Sequence, residues 1–325
     1  MVSKVFVAAA GAIAMGWMGA ATAQSLPIEW TISPAGSSAG AERVQLALSY
    51  RTSGRGQNMN SRPYALAELQ GLSLAQLASP QGAPAHFRIV REAGTLDCSG
   101  VVRQAKGTGE CSFLADAGFA AALERRGIGR PTVEQHYQLM VQNVGTPLLQ
   151  ELERHGYRRP DIDDLTAAGI HGVSAAYIRS MAESGYRLGK VEDLVAFRIH
   201  GVDADYVREM AAFSPAGGRF TPDQLVGMRI HGLSAAKARQ YAQLGYRNLS
   251  HDDLMSMSIH GVTPKFISEL ADAGYRGLSS QQLVTMRIHG VTPEYVRQMR
   301  AAGYTLPNAD QLVRMRISGF RPRRK

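Results

Sequence analysis

The sequence predicts a mixed chain: a small, mainly β N-terminal domain followed by an all-α solenoid of about six 29-residue helix-turn-helix repeats. Three observations carry that expectation. Ile-His-Gly recurs at His171, His200, His231, His260 and His289, at spacings of 29, 31, 29 and 29, and "RISGF" repeats it with Ser318 in the histidine's place. Upstream, "RVQLALSY" alternates Val44, Leu46, Leu48 and Tyr50, and "HFRIVRE" puts Phe87 and Ile89 on one face, the period of half-buried strands. The only two cysteines, Cys98 and Cys111, flank "SGVVRQAKGTGE", which reads as strand, turn, strand.

The chain begins with Lys4, an apolar run from Val5 to Met18, and Ala21 and Ala23 before Gln24, the layout of a Sec-type secretory signal peptide cut near Ala23. Residues 1–23 are therefore expected to be a signal peptide, and the mature protein periplasmic or secreted and not integral to the membrane. In such an oxidising compartment two nearby cysteines pair, so Cys98 and Cys111 are expected to form a structural disulfide at the open end of a hairpin. Residues 24–130 then form the β-rich domain. Within it "SPAGSSAG" and "SGRGQNMNSRP" read as loops, "SRPYALAELQGLSLAQLAS" as a helical insertion or long loop, and "GFAAALERRG" as a short helix.

Residues 131–320 form the solenoid and 321–325 a basic tail. Each unit holds two helices. In "LSSQQLVTMRIHG", Ser279 and Gln282 make a capping box, a device repeated by Ser250 with Asp253 and Thr221 with Gln224. This helix is expected to turn Leu283, Met286 and Ile288 inward and to stop at Gly290, matched by Gly172, Gly201, Gly232 and Gly261, where glycine accepts a left-handed conformation. Ser174, Asp203, Ser234, Thr263 and Thr292 cap the second helix, with Pro264 and Pro293 at its first position. Val291, Tyr295, Met299 and Ala302 form its apolar stripe. Neither helix is long enough to stand alone, so units must stack. "VEQHYQLMVQN" and "VGTPLLQELERHGY" form a degenerate earlier copy.

The formal charge, 36 − 27 = +9, favours anionic partners without choosing one. One histidine per unit does not converge into a metal site, and a helix C-terminus offers each imidazole orphan carbonyls to bond. The histidines therefore read as structural, and no catalytic residue, cofactor or metal is expected. Two arginine sets remain as a candidate binding face. Arg198, Arg229, Arg287 and Arg316 precede the Ile-His motif, and Arg179, Arg208, Arg239 and Arg297 lie on the second helix. Either set is a solvated, ion-paired row or a surface for an acidic partner, since stacked repeats build extended binding faces.

The units of "LVTMRIHGVTPEYVRQMRAAGY" resemble a repeat found in exported bacterial proteins and in C-terminal extensions of some membrane metallopeptidases related to β-lactam-sensing antirepressors. The resemblance runs from Pro131 to Phe320, and "FRIVREAGTLDCSGVV" with "GTGECSF" looks like the domain preceding such repeats. The peptidase's zinc motif and membrane helices are missing, so what the resemblance implies is an exported accessory or sensory module, not an enzyme. "LVGMRIHGLSAAKARQY" is also similar to the DNA-binding helix-hairpin-helix. There Gly232 and Leu233 match, but Ser234 stands where a second glycine would leave backbone N–H groups open to phosphate. The expected function is an exported scaffold binding a protein or anionic envelope component. Nonspecific nucleic-acid binding is the alternative, along with a sensor role beside a membrane metallopeptidase.

Overall fold

A computed structural model describes residues 26–35, 42–51, 56–214 and 218–322; the expected signal peptide and residues 323–325 of the basic tail lie outside them. The described chain forms two compact units. Residues up to 89 together with 96–114 make a β unit, and 90–95 together with residues from 115 onward make a helical unit.

The β unit is one antiparallel sheet of six strands, β1 (Ile28–Pro34), β2 (Arg43–Arg51), β3 (Gln57–Ala65), β4 (Ala83–Arg91), β5 (Gly94–Arg103) and β6 (Lys106–Ala115), in the order β3-β2-β1-β6-β5-β4. One face is apolar by alternation: Ile28, Trp30 and Ile32 on β1, Val44, Leu46, Leu48 and Tyr50 on β2, Phe87 and Ile89 on β4. Trp30 sits at its centre, edge-on to Phe87 at 5.1 Å, with its Nε1–H donating to Ser99 O at 3.1 Å. Added Cβ atoms at Gly100 and Gly109 would lie 2.6 and 2.7 Å from the indole, so the neighbouring strands must be bare there.

The stretch 57–65, expected as loop, is instead strand β3, paired with β2 from Arg43↔Ala65 to Arg51↔Gln57. It is an edge strand, which tolerates Pro63 and carries almost no apolar alternation, so period-two reading passes over it. The chain then crosses the sheet through a 3-10 turn (Leu66–Glu68) and α1 (Leu74–Ala78), burying Leu69, Leu72 and Leu77 and bridging Gln70 to Arg88 of β4. Cys98 on β5 and Cys111 on β6 are disulfide-bonded and buried. They lie 13 residues apart, and opening that loop by Cys98→Ala/Cys111→Ala is expected to lower the unit's stability by about 3 kcal/mol, read as an earlier denaturant midpoint at unchanged slope.

The helical unit takes in α2 (Ala117–Arg125), expected within the β-rich domain of residues 24–130. It groups here because Phe119 and Leu123 are buried and Phe119 lies 5.9 Å from the His136 ring of α3 (Val133–Val141). After α4 (Thr146–Arg154) come five pairs of near-equal helices. They are α5 (Ile162–Ile170) with α6 (Ala175–Glu183), α7 (Val191–Ile199) with α8 (Ala204–Ala211), α9 (Pro222–Ile230) with α10 (Ala235–Gln243), α11 (His251–Ile259) with α12 (Pro264–Asp272), and α13 (Ser280–Ile288) with α14 (Pro293–Ala301). A last first-type helix, α15 (Ala309–Ile317), follows. First helices pack on first helices (α3 on α5, α5 on α7, α9 on α11, α11 on α13, α13 on α15), and second helices pack on second helices (α4 on α6, α8 on α10, α10 on α12, α12 on α14). This is a two-layered α-solenoid.

Its punctuation follows the expected caps. Ser174, Asp203, Ser234, Thr263 and Thr292 each accept from the backbone N–H three residues on, and Gly172, Gly201, Gly232, Gly261 and Gly290 have φ between 66° and 71°. The degenerate first copy differs for a stated reason. Gly145 cannot cap α4, and Glu92 Oε2, from the turn grouped with this unit, accepts from Thr146 N at 2.6 Å instead. At the end of α3, Arg91 Nη1 donates to Met140 O and Val141 O at 2.8 and 2.6 Å.

Among the described residues no helix is long and apolar enough to cross a membrane.

Candidate interaction face

The repeat motif divides its labour differently from what its residue types suggest. Each histidine, His171, His200, His231, His260 and His289, is the C-cap residue of a first helix, donating its backbone N–H into the preceding turn. Four of the imidazoles are exposed and that of His200 is half-buried. The orphan carbonyls expected to receive them are bonded from the next repeat. Arg198 Nε donates to His171 O at 3.2 Å, Ser258 Oγ to His231 O at 2.7 Å, and Arg316 Nε to Gly290 O at 3.1 Å. In the last unit Ser318 Oγ donates to Met315 O at 2.9 Å. Among the described residues no three His, Cys, Asp or Glu side chains converge on a metal-sized site.

The arginines preceding the motif act as clasps between repeats. The guanidinium of Arg198 lies 4.9 Å from the Tyr177 ring centroid, Arg229 3.8 Å from Tyr206, Arg287 5.1 Å from Phe266 and Arg316 4.9 Å from Tyr295. Each crosses from one repeat's first helix to the previous repeat's second. The motif glycine makes room: a Cβ on Gly172 would meet Arg198 Nη2 at 3.1 Å, and those on Gly261 and Gly290 would touch Arg287 and Arg316. So the glycine answers to a left-handed turn throughout, and at Gly172, Gly261 and Gly290 also to an arginine laid over it, whereas a Cβ on Gly201 would meet nothing within 4 Å.

The second arginine set is mostly ion-paired. Arg179 Nη1 meets the buried Glu151 at 2.9 Å and holds its carboxyl below the usual range, Arg208 pairs with Asp205, and Arg297 pairs with Glu294 at 3.0 Å. Arg239 is exposed on α10. The structure thus places the two sets on different helices with different occupations and does not merge them into one basic surface.

Tyrosines, of which only Tyr295 was expected on an apolar stripe, supply a further set of ties between repeats. Tyr177, Tyr206 and Tyr295 donate their hydroxyls to Val202 O, Leu233 O and Phe320 O of the following unit. Tyr186, Tyr246 and Tyr275, each after a helix-ending glycine, donate to Phe220 O, Leu278 O and Pro307 O at 2.6–2.7 Å. Their recurrence six residues after His171, His200 and His289, or fifteen after His171, His231 and His260, was the available signal. Burial raises all six hydroxyls, Tyr206 to about 12, so they remain donors at neutral pH.

One unit breaks the pattern coherently. Lys237 replaces the aromatic, and opposite it Ser258 replaces the arginine. Lys237 Nζ donates to Ser258 Oγ at 2.9 Å, while Tyr241, one turn further along α10, donates to Val262 O at 2.6 Å. The aromatic–arginine pair has been exchanged as a set.

The largest departure is the isoleucine. Ile288, expected to point inward, is exposed, and so are its counterparts. Ile170, Ile199, Ile230, Ile259, Ile288 and Ile317 keep between 50% and 61% of their surface in solvent, while Leu283 and Met286 are buried. The nine-residue helix buries the stripe led by Leu283 and Met286, and Ile288 lies two residues past Met286, off that stripe. Six β-branched residues at one register therefore form an apolar row, each following a clasping arginine or, at Ile170 and Ile259, Gly169 and Ser258.

Among the described residues, two partly enclosed cavities, about 120 Å³ beside Tyr157 and about 130 Å³ beside Tyr186, are below the usual range for small-molecule sites, roughly 300–1,000 Å³, while hollows of about 510 Å³ at Gln104 and about 410 Å³ at Arg297 are more open to solvent. The buried His136 is structural. Burial lowers its affinity for protons, outweighing a backbone bond to Ala93 and the Asp116 charge, so the folded unit favours the neutral ring more than the unfolded chain does. The unfolded chain protonates it near pH 6.5, so stability is complete above that value and falls as pH drops below it. His136→Leu is expected to flatten this acid dependence of the denaturation midpoint.

Comparison with protein-family models, curated proteins and solved structures finds no match to this chain.

Proposed function

We propose that the protein is an exported, non-enzymatic scaffold whose helical unit binds a protein or cell-envelope partner along the isoleucine row. The observation that carries this reading is the row itself: six exposed isoleucines in one register, on a surface where most other large apolar side chains are buried. The disulfide and the lack of a membrane-crossing helix among the described residues are compatible with an oxidising compartment. Binding of nucleic acid is disfavoured by the caps, because Ser174 Oγ, Asp203 Oδ1 and Ser234 Oγ already accept the N–H groups that a phosphate would need.

Photo-crosslinking residues introduced in cells at Ile230 and Ile259 are expected to yield one shared adduct, with none from Glu209 or Gln240 on the second-helix layer. Adducts equally frequent from both layers would overturn the assignment of the face.

A further inference from the structure

The row carries information about what it binds, and this inference rests on the scaffold reading. One turn before the first five isoleucines, on the same helix face, stand small, half-buried residues, Ala167, Ala196, Gly227, Ser256 and Thr285, while Ile317 at the end of the row follows the exposed Arg314. They leave the isoleucines standing along one margin of a shallow floor. Beside that margin the arginines are held in place. Arg198 and Arg316 spend Nε on a carbonyl and lay the guanidinium plane on a tyrosine, which fixes the fork and leaves its terminal edge for a carboxylate. The far margin, one turn earlier again, is acidic, with Asp163, Glu192, Asp223, Asp252 and Asp310 exposed.

Packed helices lie about 8–10 Å apart, which sets the spacing of identical positions on the first helices that pack together, α5 with α7 and α9 through α15. A β-strand returns a side chain to the same face every 6.6 to 6.8 Å or so, too short, and an α-helical heptad every 10.5 Å or so, too long. A polyproline II segment returns every third residue at about 9.3 Å. We infer that the isoleucine row receives an extended, polyproline-II-like segment with an apolar residue at every third position and carboxylates on its arginine side.

The test uses the full mature chain and fluorescent peptides of five Leu-Glu-Pro units, by anisotropy at low salt. Binding is expected, weakened at least tenfold when Lys replaces Glu, when a fourth residue is added to each unit, or when the protein carries Ile230→Asp/Ile259→Asp. Both positions are exposed, so the variant's melting temperature is expected to stay unchanged; a shifted melting temperature directs the same comparison to Ile230→Ser/Ile259→Ser. No binding, equal binding of the Lys or four-residue peptides, or an isoleucine-dependent preference for phosphatidylglycerol vesicles would overturn the inference. A crosslinked partner from Ile259 together with a failed peptide would leave the scaffold reading standing and sink this one.

Discussion

Ser258→Arg alone is expected to destabilise the helical unit by about 3 kcal/mol, although arginine is what four other repeats carry at that place. Ser258 is buried and receives the Lys237 ammonium at 2.9 Å while donating to His231 O. An arginine there would face a cation whose proton affinity burial already lowers, with no ring to lie on. Adding Lys237→Tyr and Tyr241→Met restores the arrangement of Tyr206 with Arg229, in which the ring accepts the guanidinium and its hydroxyl bonds the next repeat's carbonyl. The triple variant is expected to recover most of the loss, giving a coupling energy of roughly 2 kcal/mol in a mutant cycle of denaturant midpoints. Simple additivity of the three changes would show that the exchange is coincidental.

Raising the pH is expected to dissolve the solenoid in one step. Tyr177, Tyr186, Tyr206, Tyr241, Tyr246, Tyr275 and Tyr295 all have hydroxyls raised by burial, Tyr206 and Tyr241 to about 12, and each donates to a carbonyl of the following unit. In the unfolded chain tyrosine ionises near pH 10. The unfolded state therefore releases protons first, so stability is intact below about pH 10 and falls as pH rises towards 12. A phenolate cannot donate, so ionisation and loss of stacking are the same event. Far-UV circular dichroism and tyrosinate absorbance are expected to change together between those values. Tyrosinate absorbance rising fully while helicity persists would mean the hydroxyls are not tied between repeats.

How much of this was legible follows from where each signal is stored. Caps, helix stops and the repeat period are local, set by Ser279 with Gln282 or by Gly290 and Thr292 within a few residues, and they read directly from the chain. So did the alternation of β2 and β4 and the hairpin of β5 with β6, though the alternation of β1 at Ile28, Trp30 and Ile32 was not singled out. Strand β3 did not, because an edge strand has little apolar alternation to show.

Sequence by itself determined that this protein is a small sheet joined to a stack of helical pairs, since each short helix carries its own start, stop and apolar stripe. Only the tertiary structure decided which of the recurring residues tie the stack and which are left over. Stacking sets one repeat against the next, so the partner of Arg198 lies 21 residues back at Tyr177 and that of Ser258 at Lys237, distances no local pattern reports. The isoleucine is the clearest case. Its hydrophobicity argued for the core, and its angle on a nine-residue helix put it in solvent.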